Sequence, residues 1–327
     1  MSGTSFARKA LIGSPSNFWL HHTSIGFDLT HPSVPTAPSS DPNGSTSDPK
    51  LTIQTTTCPI TISRAKSALV IIDMQNFFLS EAFGRQRGAG HAACDNLVTH
   101  AIPAARKAGM RIIWVNWGLT EDELQNMPPS VKRCFGFASI PADQPFSQDF
   151  SSGPNSIAAD RFGAEKITTG PFAMYHGMGS DCGTVELEPG KILNAGRLLM
   201  RDSWNSALYP PLDTIYAAGA ALPRNPDVWI HKNRMSGLWG SSTPLQAFLE
   251  KEGIRTLLFA GVNTDQCVGG TMTDAFSNGY DCVLLSDGCG TSSPEFAQES
   301  WEFNAARSYG FVASCEGVAE GVKRMFA

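Results

Sequence analysis

From Ser67 onward, short β-branched runs alternate with helical stretches, and this alternation restricts the fold more than any other feature of the chain. Ala68-Leu69-Val70-Ile71-Ile72 is apolar at every position, the pattern of a strand buried on both faces of a parallel sheet. Gly90–Ala108 reads as a helix ending at Gly109, and Arg111–Val115 as the next strand. Asp227–His231, Thr256–Val262, Asp281–Ser286 and Phe311–Ser314 bring the strands to six. Between them, Ser242-Thr243-Pro244 opens a helix that Gly253 closes. Strands alternating with helices predict an α/β fold: one doubly wound, six-stranded, mainly parallel sheet with helices on both faces.

Two stretches break the alternation. Residues 1–66 form an N-terminal arm and linker, with PSVPTAPSSDPNGSTSDP between Pro32 and Pro49 reading as a loop. Phe18, Trp19 and Phe27 are too apolar for a free tail, so the arm docks either on its own domain or on a neighbouring subunit. Leu51–Ile62 reads as an edge strand. Within the main domain, 67–327, a long insertion at about 118–221 is rich in Gly, Pro, Phe and Trp. Ligands of such sheets bind beyond the carboxyl ends of the strands, so this insertion is expected to shape a pocket.

Composition excludes several classes. The chain of 327 residues is 42% hydrophobic and 17% charged, which rules out wholesale disorder. No apolar run reaches the roughly 18–20 residues of a membrane span, so no membrane partner is expected. A net charge of −5 without a Lys/Arg cluster argues against nucleic acid. The eight cysteines form no CxxC pair and no zinc spacing, so no metal and no cofactor are expected, and the compartment reads as reducing. The N-terminus lacks an apolar signal core, which gives a cytoplasmic expectation; Arg8 and Lys9 in an acid-poor start leave a mitochondrial alternative.

Three residues sit at or just beyond predicted strand ends: Asp73 after Ile72, Lys232 after His231, and Cys267 shortly after Val262. Taken singly, each has an ordinary explanation: a helix cap, a solvated surface charge, a small core residue. Converging on one crevice, an acid, a lysine and a thiol make a nucleophilic site. With Thr264 as N-cap, Cys267 falls in the first helical turn, where the helix dipole and a nearby Lys232 would lower its pKa. Asp73 is placed to exchange a proton with the thiol, and backbone N–H groups at Asn263 and Cys267 to hold an oxyanion.

The words around these residues are Ile72-Asp73-Met74-Gln75-Asn76, Lys232 with Ser236-Gly237, and Gly261-Val262-Asn263-Thr264-Asp265-Gln266-Cys267-Val268. In that order they resemble the isochorismatase-like cysteine hydrolases, from Ser67 to about residue 315. Asn116-Trp117, Ser203-Trp204 and Lys232-x-Arg234-x-Ser236-Gly237 look most like the branch that includes ureidoacrylate amidohydrolases. The resemblance implies an Asp73–Lys232–Cys267 triad, a cis peptide between Val262 and Asn263, and homo-oligomerisation. Metal-dependent nicotinamidases of that superfamily carry an Asp-x-His where this chain reads Asn116-Trp117-Gly118, which argues against them. The expected activity is hydrolysis of a small linear amide, ureide or carbamate through a thioester. The alternatives are an isochorismatase-type or lactam/cyclic-imide hydrolase, or a noncatalytic partner-binding protein. Gln75, Phe77, Asn116, Trp117, Trp204, Met235, Ser236 and Trp239 are the expected walls of the small-molecule pocket.

Overall fold

The computed structural model describes residues 7–34, 50–147, 150–153, 155–166 and 175–327. Most of the Pro/Ser-rich loop, 35–49, lies outside the described residues. Its N-terminal strands are β1 (Lys9–Ser14), β2 (Asn17–His22), β3 (Gly26–Leu29), β4 (Lys50–Ile53) and β5 (Ile60–Ser63). The main sheet is built from β6 (Ser67–Ile72), β7 (Arg111–Trp117), β12 (Val228–Lys232), β13 (Thr256–Val262), β14 (Asp281–Gly290) and β15 (Phe311–Ala313). Between β7 and β12 lie the short strands β8 (Phe137–Ser139), β9 (Ile157–Ala159), β10 (Thr184–Glu188) and β11 (Lys191–Asn194).

The main sheet runs β12-β7-β6-β13-β14-β15 with every pairing parallel. All six residues of β6 and all seven of β13 are buried, as two-sided burial requires of the central strands. One face carries helices Ala89–Asn96, Ile102–Ala108 and Cys315–Met325, packed through Leu97, Ala101, Ala105, Val318 and Val322. The other carries Pro244–Glu252 and Gly269–Ser277 through Leu245, Leu249, Met272 and Ala275. Strand order reverses between β6 and β13, so their carboxyl ends open a crevice of the kind in which ligands of doubly wound sheets bind.

Several expectations are corrected. Leu51–Ile62 is two antiparallel strands, because Thr55 turns the chain: its hydroxyl donates to Cys58 O at 2.6 Å and accepts from Cys58 N at 3.2 Å. The helix over 90–108 contains a π turn at Leu97–Ala101. Strand β14 continues four residues past Ser286, because the shift in its pairing with β13 lets Cys289 and Gly290 rejoin at Gly261 and Val262. Of the two placements left open for the arm, the structure has the one on its own domain: Trp19 Nε1 donates to Asp281 Oδ1 at 2.8 Å, and His31 Nε2 lies 2.7 Å from Asp281 Oδ2. Helix Leu212–Ala220, at the end of the 118–221 stretch, buries Leu212 in the main core and so belongs to the crossover from β7 to β12.

Gly261 sits where β13 presses against β6. Its φ of +117° suits glycine, and a Cβ there would collide with the Ile72 carbonyl. Gly261→Ala should therefore cost about 1–3 kcal/mol, read as a lower denaturation midpoint. An unchanged midpoint would mean that β6 and β13 can separate without loss.

Candidate active site

The two central strands and one edge strand deliver the three candidate side chains to the same place. Asp73 follows β6 with φ +53°, an uncommon left-handed conformation for a residue with a side chain. Its carboxylate is fully buried, and its Oδ1 accepts from Trp117 N at 3.2 Å. Lys232 ends β12, two strands away from β6, and reaches across the intervening β7 with its Nζ 3.9 Å from the Trp117 ring centroid. There it lies 2.9 Å from Asp73 Oδ2 and donates to Arg234 O at 3.0 Å and Met235 O at 3.1 Å. Both side chains are almost wholly inaccessible. The Cys267 thiol and the Lys232 ammonium both pair with this carboxylate.

Cys267 enters from β13. Val262–Asn263 is a cis peptide, and a π turn over Thr264–Val268 leads into helix Gly269–Ser277. The N-cap is Asn263, not Thr264: Asn263 O accepts from Gln266 N and Val268 N, whereas the Thr264 hydroxyl donates to Gln298 Oε1. The Asn263 side chain accepts from Ser292 N at 3.0 Å, tying the turn to the loop after β14. Cys267 Sγ is 3.7 Å from Met235 Sδ. Gly269 keeps the next turn close to helix Glu295–Asn304, where a Cβ would strike the Trp301 ring.

The thiol is not acidified, contrary to expectation. Burial pushes Cys267 up to about 12, Lys232 opposes this, and the Asp73 carboxylate adds to it. Burial likewise raises Asp73, against the pull of Lys232. Cys94 and Cys182 are also pushed up to about 12 by burial, so acidity does not single out Cys267. Its neighbours do, because only there does a thiol face a buried Asp–Lys pair. The resting arrangement is thus a protonated thiol beside a base, suited to proton transfer during attack.

A cavity of about 460 Å³ opens over Cys267, bounded by Asn263, Gln266, Met235 and the loop Gly290–Ser292. Phe77 and Met235, expected as pocket walls, do line it. The other six do not. Gln75 is fully buried and braces Trp117, accepting from its N–H and donating to its carbonyl. Asn116 and Trp117 are fully buried, the Trp117 ring lying against the Lys232 ammonium. Ser236 Oγ accepts from Leu238 N, and Trp204 packs beside Phe83. Trp239 is half exposed, held by Asn233 and Arg234 outside the cavity.

The walls that sequence reasoning missed come from Arg85 before helix Ala89–Asn96 and His91 in its first turn, and from Phe135, Asp160, Lys166 and Tyr175 in the 118–221 stretch. His91 is buried and satisfied: Leu79 O lies 2.8 Å from Nε2, and Gly88 N donates to Nδ1. His231 is half-buried, and burial lowers its pKa. Among the described residues, no group of three or more His, Cys, Asp or Glu is placed to hold a metal ion. None of the described helices is long and apolar enough to cross a membrane.

Residues 199–315 match the Isochorismatase domain family, a stretch that includes Lys232, Asn263 and Cys267 but not Asp73. A cysteine hydrolase from Pseudomonas syringae pv. phaseolicola is similar in structure, with TM-score 0.51 and 15% identity over 86% of this chain and 100% of that one. The architecture is accordingly the isochorismatase-like α/β fold. Nicotinamidase PncA from Bacillus subtilis aligns with TM-score 0.48 and 18% identity, over 76% of this chain and 99% of that one. An isochorismatase family protein from Desulfovibrio vulgaris aligns with TM-score 0.47 and 18% identity, over 79% and 99% respectively.

Proposed function

We propose that this protein is a cysteine amidohydrolase that cleaves the C–N bond of a small linear amide, ureide or carbamate. The observation that carries this reading is a thiol that lines a cavity and is hydrogen-bonded to a buried carboxylate, which Lys232 in turn pairs with. The domain match over 199–315 and the likeness to a cysteine hydrolase support it.

As Sγ attacks the carbonyl carbon, the thiol proton passes to Asp73. The negative oxygen is held by the backbone N–H groups of Asn263 and Cys267, a contribution typically of about 3 kcal/mol per donor. The C–N bond then breaks, Asp73 returns its proton to the leaving nitrogen, and an acyl thioester remains on Cys267. Water attacks the thioester while Asp73 takes its proton, and the sulfur leaves and is reprotonated. Lys232 keeps Asp73 ionised and in place. Asn116, Trp117 and Trp204, which carried the resemblance to ureidoacrylate amidohydrolases, lie behind the wall and do not narrow the substrate further.

Ammonia release from primary amides, ureides and carbamates tests the class, and its pH profile tests the mechanism. With Asp73 as base, activity should fall as pH drops through a pKa above the ordinary carboxylate value, since burial raises that group. Activity should level off above that pKa, with no rise tracking a thiol at about 12. A rate that keeps rising in proportion to hydroxide up to pH 9, with no plateau, would point to a preformed thiolate and remove Asp73 from this role.

A further inference from the structure

The cavity is cationic in a protein of net charge −5. Arg85 is half-buried there; its Nε donates to Phe77 O at 2.7 Å, and its guanidinium lies 4.6 Å from the Phe77 ring centroid and 5.6 Å from that of Phe83. Those contacts place the group against two rings, and its one hydrogen bond engages only Nε. Among the described residues, its two Nη atoms donate to nothing and no carboxylate pairs with it. Lys166, also half-buried, stands 4.1 Å from the Tyr175 ring centroid, again with no acidic partner among the described residues. Arg161 adds a third positive charge to the lining. The one lining carboxylate, Asp160, is occupied in its own turn, with Oδ1 accepting from Phe162 N and Ala164 N.

A planar guanidinium seated against two aromatic rings, with its outer nitrogens free, matches the bidentate geometry of a carboxylate. A neutral amide offers such a group one carbonyl acceptor and no opposite charge, so it gains less than a carboxylate does. We propose that this cavity selects substrates bearing a carboxylate, bound by Arg85 as a fork and by Lys166 as a point charge, with the intervening carbon chain among Phe77, Phe135 and Tyr175. The proposal rests on the amidohydrolase reading and names the substrate class for it: short amides, ureides or carbamates with an anionic end. Arg85 is then the specificity-determining residue.

The test uses calorimetric binding to Cys267→Ala protein, which reads the anion site without turnover. The probes are succinamate, N-carbamoylglycine and 4-carbamoylbenzoate, each against a counterpart with an isopropyl group in place of the carboxylate. At least one carboxylate should bind about 10- to 100-fold more tightly than its counterpart, the range of a charge-assisted pair. Adding Arg85→Gln should erase most of that preference, Lys166→Gln part of it, and Arg85→Lys should restore it incompletely. Arg85→Gln in the otherwise native enzyme should raise KM for carboxylates more than it lowers kcat. Equal binding within all three pairs, failure of every carboxylate to bind, or a preference undiminished in both Arg85→Gln and Lys166→Gln would overturn the proposal. So would binding of inorganic phosphate alone, which would assign the cations to a different anion. Carboxylate binding without ammonia release from any compound would remove the catalytic reading and leave the anion site standing.

Discussion

Cys267→Ala and Asp73→Asn should each lower kcat/KM for ammonia release by about 10⁴-fold or more, the loss seen when one member of a nucleophile–base unit is removed. The two variants should be nearly equal in effect, and the double variant little worse than either. The thiol is pushed up to about 12 by burial, so without the carboxylate there is no resident base to take its proton. Non-additivity is therefore the signature to look for, and additive losses would argue that sulfur and carboxylate act independently. Stability separates catalysis from packing: Cys267 touches Met235 but sits at a cavity floor, so Cys267→Ala should melt close to the parent. Alkylation by iodoacetamide gives a second readout. Asp73→Asn should slow modification of Cys267, while the half-buried Cys58 and Cys134 react unchanged.

What the sequence made legible follows from which physical signals are local. The six strands were readable because burial on both faces forces uninterrupted apolar runs such as Ala68–Ile72. Asp73, Lys232 and Cys267 were readable because a parallel sheet sends its strand ends to one edge, so position along a strand already implies position in space. Lys232 also shows how the ordinary reading fails: read alone it was a surface charge, yet it is buried on the Trp117 ring, two strands from its acid. The pocket walls were misread for the opposite reason. Gln75, Asn116 and Trp117 lie near the catalytic candidates, but all three are fully buried in the sheet or the turn after β6 and none lines the cavity. The residues that do line it, Arg85, Lys166 and Tyr175, come from irregular segments where no period ties sequence to direction. The acidity of the thiol was misjudged because a helix terminus is a local signal, whereas desolvation depends on everything packed around it.

Lys232→Met should be the most destabilising single change at the site, costing about 3–5 kcal/mol, because it strands the Asp73 carboxylate in a fully buried position. The cost should depend on pH in a defined sense. Burial already raises Asp73, and Lys232 is the group that pulls it down, so removing the ammonium raises it further. A carboxyl whose folded-state pKa exceeds its unfolded value favours folding while protonated and loses that advantage as pH rises through the folded pKa. The deficit of Lys232→Met should accordingly be small below the ordinary carboxylate value of 3.8 and grow as pH rises toward neutrality. Adding Asp73→Asn removes the stranded charge and should recover most of the stability at neutral pH, without recovering turnover. Denaturant midpoints of the four proteins at pH 4 and pH 7 make the comparison. A Lys232→Met deficit that is equal at both pH values, or that Asp73→Asn does not relieve, would mean that the lysine is held for its contacts with Trp117 and the Arg234 and Met235 carbonyls rather than for the acid.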